Sequence, residues 1–222
     1  MLLPRNSQYM AGVVVSLLAS AGAEASTVTL FVDPIGGAST ENTGASATLT
    51  LDFANLGADD LLTITIENTT PPEIGSKLTA VGLELPASLS LAPVFAGPNP
   101  DGYFDTLTFD HSVSPSWLDA PGGYDLMITG DGNFLGGNPN GAPVAGESAT
   151  ITLNLGHTGW SASELASTFR GFFAGEEDNF TIARFQAVGP DGEGSDKVTG
   201  VIPEPATLVL LGLGALAVRR RL

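Results

Sequence analysis

The sequence predicts an all-β fold, an antiparallel β-sandwich of jelly-roll or immunoglobulin-like type with one short helix. Three observations carry this expectation. Short runs alternate apolar and polar residues with period two, and turns rich in Gly, Pro and Asn separate them. A hydrophobic fraction of 43% supplies a core without a single cysteine to staple it. One-sided strands of this kind bury their apolar faces by packing sheet against sheet. The sandwich is expected over residues 26–188, between an N-terminal signal helix and a C-terminal hydrophobic helix.

The first 25 residues read as a processing segment. Arg5 precedes an apolar run over residues 10–23, and Ala23-Glu24-Ala25 follows it. A basic residue, an apolar stretch of this length and an A-x-A site form the tripartite export signal. The expected partners are the Sec translocon and signal peptidase, with cleavage between Ala25 and Ser26.

Strands are then predicted over residues 27–32, 47–53, 62–67, 78–85, 103–109, 124–129, 149–155 and 179–188. In each, Val, Ile, Leu or Phe face one way, and Thr, Asp, Glu or Asn the other. Turn chemistry fills the gaps, as at Gly36-Gly37, Pro71-Pro72 and Asp131-Gly132-Asn133. Ser161 and Glu164 have the spacing of a capping box, so a short helix is expected to begin there, between the last two predicted strands. Residues 189–202, rich in Gly, Asp and Ser, read as a flexible linker. No internal repeat of fixed period is present.

Charge excludes one class of partner. The whole chain has a formal net charge of −16. Between residues 26 and 202 only Lys77, Arg170, Arg184 and Lys197 oppose 22 acidic side chains, a net of −18. Such a surface repels phosphate backbones, so no nucleic-acid partner is expected. The lack of cysteine removes disulfides, thiolate metal sites and a cysteine nucleophile.

Candidate chemistry is sparse. His111 and His157 are isolated, no G-x-S-x-G elbow or H-E-x-x-H helix occurs, and no pair of carboxylates can be nominated for acid–base work. A catalytic site is therefore not expected. Asp101, Asp105 and Asp131 flank Gly-containing turns and are the candidate ligands for calcium, which takes several loop oxygens; otherwise no cofactor is expected. Trp117 and Trp160, in turn-rich segments, are the candidates for stacking on a sugar ring. Asn68 and Asn179 each open an N-x-[ST] tripeptide.

The C-terminus is the most specific segment. Pro203-Glu204-Pro205 precedes an apolar stretch over residues 206–218, and Arg219-Arg220-Arg221 follows. A helix over that stretch spans about 20 Å, short of the roughly 30 Å hydrocarbon core, and extending it backward would bury Glu204. The arginines are expected to stay cytoplasmic and the Pro-Glu-Pro at the outer face.

This order of motif, hydrophobic segment and basic cluster over residues 203–222 resembles the PEP-CTERM sorting signal. The resemblance implies recognition by a membrane-embedded exosortase, with cleavage near Pro203-Glu204-Pro205 and only transient residence in the membrane. It implies a Gram-negative host and a place at the cell surface or outside it, near exopolysaccharide or biofilm. The expected function is that of a non-enzymatic structural or adhesive component. The alternatives are a carbohydrate-binding module, calcium-assisted or not, and a secreted hydrolase or lyase.

Overall fold

The computed structural model describes residues 26–97, 102–120, 122–130, 134, 139–174 and 181–201, with Val201 described by its backbone alone. The expected signal segment and the hydrophobic tail, with the helices predicted for them, lie outside the described residues. The described chain is mostly antiparallel β with one short helix. Its strands are β1 (Thr27–Val32), β2 (Ala47–Leu56), β3 (Asp59–Asn68), β4 (Lys77–Leu83), β5 (Val94–Phe95), β6 (Thr106–His111), β7 (Tyr124–Thr129), β8 (Ser148–Asn154), β9 (Thr181–Val188) and β10 (Gly194–Val201). They form one sheet in the order β5-β8-β3-β2-β1-β10-β9-β4-β7-β6. Strands β5 and β6, consecutive in the chain, are the two ends of that order, so the sheet is nearly closed.

The period-two pattern dictates the first half of the sheet. β2 and β3 pair residue for residue around the two-residue turn Gly57-Ala58. Gly57 has φ of 67°, which the first position of a primed hairpin turn requires. Across β1, β2, β3 and β8 the register aligns Val28, Leu51, Ile64 and Ile151 in one buried row. Thr29, Thr50, Thr65 and Thr150 align in a half-exposed row on the opposite face. A slip of one residue would exchange the two rows, so burial fixes the register.

The second half, β10-β9-β4-β7-β6, is buried on both faces at its centre. Leu78, Val81, Leu83, Leu126, Ile128 and Phe185 share the main core with the first half. Ala80, Met127 and Ile182 instead pack beneath residues 113–120, with Val113, Leu118 and Tyr124. Strands covered on both faces read as near-continuous apolar runs, as β4 and β9 do.

The helix α1 (Ala162–Phe173) begins at the expected place. Ser161 Oγ accepts from the Glu164 N–H, and Glu164 accepts from the Ser161 N–H at 2.7 Å, completing the capping box. Leu165, Ala166, Phe169 and Phe173 face the main core, where the Phe169 ring lies 4.9 Å from that of Phe53.

Two sequence expectations need correction. The predicted strand over 103–109 is displaced to Thr106–His111, because Tyr103 and Phe104 are buried as loop residues. The linker expected over 189–202 instead holds β10, which pairs with β9 from Gly194 to Thr199 and with β1 at Gly200 and Val201. Tertiary partners override its polar composition. Val198 and Thr199 are buried in the sheet, and Asp196 turns inward to a set of donors described below. The folded body therefore runs on to residue 201.

Candidate functional site

Among the described residues a cleft of about 350 Å³ lies beside β10. One wall is the loop carrying the short 3₁₀ turn Ser116–Leu118, and the other is the segment at Thr40 and Glu41. Arg184 and Lys197 line it from β9 and β10, where they are direct cross-strand partners. Leu118, Val113 and Ala120 anchor the loop by burial, which leaves Trp117 outward and 55% exposed at the cleft.

Hydrogen bonds fix this loop. The Tyr124 hydroxyl donates to the Leu118 carbonyl at 2.7 Å, and the Val113 N–H donates to Asp119 at 3.0 Å. Burial, with the charges of Asp119 and Glu84, pushes the Tyr124 phenol far above its ordinary range, so it remains a donor. The Lys197 ammonium donates to the Ser114 carbonyl. Burial first, and then the neighbouring Arg184 charge, holds Lys197 below the usual lysine range. Burial lowers Arg184 as well.

The opposite wall hangs on Asp196, which is 1% exposed. Its carboxylate accepts from the N–H groups of Thr40, Glu41 and Thr43, at 3.0 to 3.2 Å. It also accepts from the hydroxyls of Ser39, Thr40 and Thr43, at 2.7 to 3.0 Å. Burial pushes this carboxyl up, but bonds from Thr43, Ser39 and Glu41 outweigh it and hold it below the ordinary aspartate range. Asp60 does the same at the far end of the sheet. There too burial raises the carboxyl, and bonds from Thr158 and Asn55 outweigh it.

The residues predicted from sequence do not converge. Trp117 lies in the cleft, beyond the Val32 end of β1. Trp160 is 40% exposed near the β2–β3 turn, where its carbonyl accepts from Asn55 at 3.0 Å. The two rings thus sit toward opposite ends of β1 and form no common platform. Asp105 is exposed and accepts from the Thr106 hydroxyl at 2.9 Å, while Asp101 and Asp131 lie outside the described residues. Among the described residues no group of three or more His, Asp or Glu side chains is placed to hold a metal ion. Asn68 is fully buried, its amide donating to the carbonyls of Ser76 and Pro143, which removes it as a glycosylation acceptor in the folded state. Ser26 opens the described chain, its carbonyl accepting from the Phe53 N–H at 2.9 Å. Ala23, Ala25, Pro203, Glu204, Pro205 and Arg219 to Arg221 lie outside the described residues.

Lys197 and Arg184 are site residues that sequence reasoning passed over. Lys197 fell in the supposed linker, and the scarcity of basic residues was its available signal. A second cavity, of about 380 Å³, lies between Leu85, Leu91 and Phe109, with Asp110 and Asp125 on its wall. Asp125 already accepts from the Leu85 N–H at 2.7 Å.

Among the described residues no helix is long and apolar enough to cross a membrane. Comparison with characterised proteins and with solved structures returned no match. Comparison with family models did: residues 201–221 match the PEP-CTERM protein-sorting motif, overlapping the last residue of β10. That motif implies secretion, processing by an exosortase and transient anchoring in a membrane. The chain thus carries a PEP-CTERM protein-sorting motif at residues 201–221, joined directly to a folded antiparallel body that matches no characterised family.

Proposed function

We propose that the mature protein is a non-enzymatic glycan-binding component, displayed on or released from the surface of a Gram-negative cell, where it adheres to exopolysaccharide. One observation carries the glycan reading: the cleft joins an exposed indole to hydroxyls and a cation on walls fixed by hydrogen bonds. An aromatic face with a polar rim suits the C–H face and hydroxyls of a sugar ring, and a braced wall lowers the entropy lost on binding. We also propose that the body is a β-sandwich in which the two halves of the sheet face each other across their shared core. The N-terminal segment is read as a Sec signal cleavable after Ala25.

Binding of the full-length chain, in detergent, to a panel of neutral and acidic oligosaccharides tests the site. Saturable binding lost in Trp117→Ala and kept in Trp160→Ala is the expected result; absence of binding across the panel refutes it. Mass spectrometry of the protein from its host tests the processing. Termini near Ser26 and Pro203 are expected, and retention of Arg219 to Arg221 in the mature form would overturn it.

A hydrolase or lyase is the competing reading, with Asp110 and Asp125 of the second cavity as its carboxylates. One oxygen of Asp125 is already engaged there by the Leu85 N–H at 2.7 Å.

A further inference from the structure

We propose that the Trp117 cleft selects acidic sugars, stacking a pyranose ring on the indole and holding its carboxylate at Lys197. This rests on the glycan reading above and adds the ligand class. The first argument is distribution. The stretch between residues 26 and 202 has only four basic side chains against 22 acids, yet two of the four, Arg184 and Lys197, stand opposite each other in one cleft.

The second argument concerns the acids nearby. Asp196 borders the same cleft, but both of its oxygens are taken by donors of residues 39–43. It is therefore poorly placed to serve as the counter-ion of Lys197. The Lys197 ammonium donates to the carbonyl of Ser114, a neutral group, and an ammonium has three protons to give. Glu41 is exposed at the rim, where solvent weakens its field.

The third argument is range. The negative charge spread over the rest of the body acts at long distance, and ions screen it beyond about 8 Å at physiological ionic strength. A carboxylate seated in the cleft meets Lys197 inside that distance. The volume of about 350 Å³ is at the lower end of ligand pockets, which run to roughly 300–1,000 Å³, and fits a short saccharide. Ser114 and Ser195 provide hydroxyls for the sugar oxygens.

The test is calorimetric titration of the full-length chain, in detergent, with uronate oligomers (galacturonate, glucuronate and mannuronate) and neutral glucose oligomers of matched length. At least one uronate series is expected to bind more tightly than the neutral one. Lys197→Met should weaken it by about tenfold or more, while Lys197→Arg, which keeps the charge, retains most of it. Trp117→Ala should lose both series, and thermal melts of each variant report whether the loop still folds. Equal binding of neutral and acidic oligomers, unchanged in Lys197→Met, would overturn the acidic preference and leave the glycan reading standing. No binding by any oligomer would overturn both.

Discussion

Replacing Asp196 by Asn probes the link between β10 and the cleft wall. The substitution keeps the shape but leaves one acceptor oxygen where there were two. If that oxygen stays with Thr40 and Glu41, the Thr43 N–H, now 3.0 Å from a carboxylate oxygen, faces an NH₂ group instead. One orphaned buried donor costs about 1–3 kcal/mol, and the remaining bonds lose their charge assistance, so a total of about 2–4 kcal/mol is expected. Against a domain stability of about 5–15 kcal/mol this is a large loss. It corresponds to a fall in Tm of about 2–4 °C per kcal/mol for a body of this size.

The pH dependence has a definite sign. The folded pKa of Asp196 lies below the ordinary 3.8, so its stabilisation is fully present above that value. The stabilisation is lost as the pH falls from there through the folded pKa, because the unfolded chain takes up the proton first. Urea denaturation of the full-length chain at pH 7 and at several points below about pH 4 measures both quantities. Asp196→Asn should be less stable at pH 7 and should lose less on acidification than the parent. Stability within about 0.5 kcal/mol of the parent, or an unchanged acid loss, would refute the assignment of Asp196 as the anchor.

Other substitutions test other layers of the fold. Ile64→Ala removes the centre of the row Val28, Leu51, Ile64 and Ile151, and is expected to cost about 2–5 kcal/mol by denaturant melt. Ser161→Ala deletes the helix cap and should cost about 1 kcal/mol, leaving β-sheet circular dichroism unchanged. Gly37→Ala places a Cβ 2.0 Å from the Thr199 carbonyl oxygen, so it should destabilise far more than Gly171→Ala, where nothing lies within 4 Å. Asp60→Asn should reduce the acid loss of stability in the same direction as Asp196→Asn, since bonds from Thr158 and Asn55 hold Asp60 below its ordinary range.

The legible parts of the fold are those where one physical signal acts alone. β2 and β3 are covered on one face only, so Leu49, Leu51, Ile64 and Ile66 alternate with threonines and the strands read directly from the sequence. The helix start was equally legible, because Ser161 and Glu164 satisfy each other locally. At the centre of the second half burial on both faces erases the alternation, whereas β6 was displaced because Tyr103 and Phe104 are buried from the loop before it. β10 was missed because Gly194, Ser195 and Asp196 look like linker until the donors at residues 39–43 are brought to them. The turn Gly189-Pro190-Asp191-Gly192, with Gly192 N–H donating to the Gly189 carbonyl at 2.9 Å, was the available sign that a hairpin follows. The cleft depended on that strand, so Trp117 was found and Lys197 was not.

The joining position of β10 has a consequence for the order of events during export. β1 is the first described strand and β10 the last, and their contact is the seam between the two halves of the sheet. As the chain threads outward from its N-terminus, β1 and later β9 wait with an unpaired edge until residues 194–201 have crossed. Pairing across so much chain is slow, and open edges invite association with other chains. The sorting motif begins where that seam ends, so the strand that joins the two halves is the last part of the sheet to cross before residues 201–221.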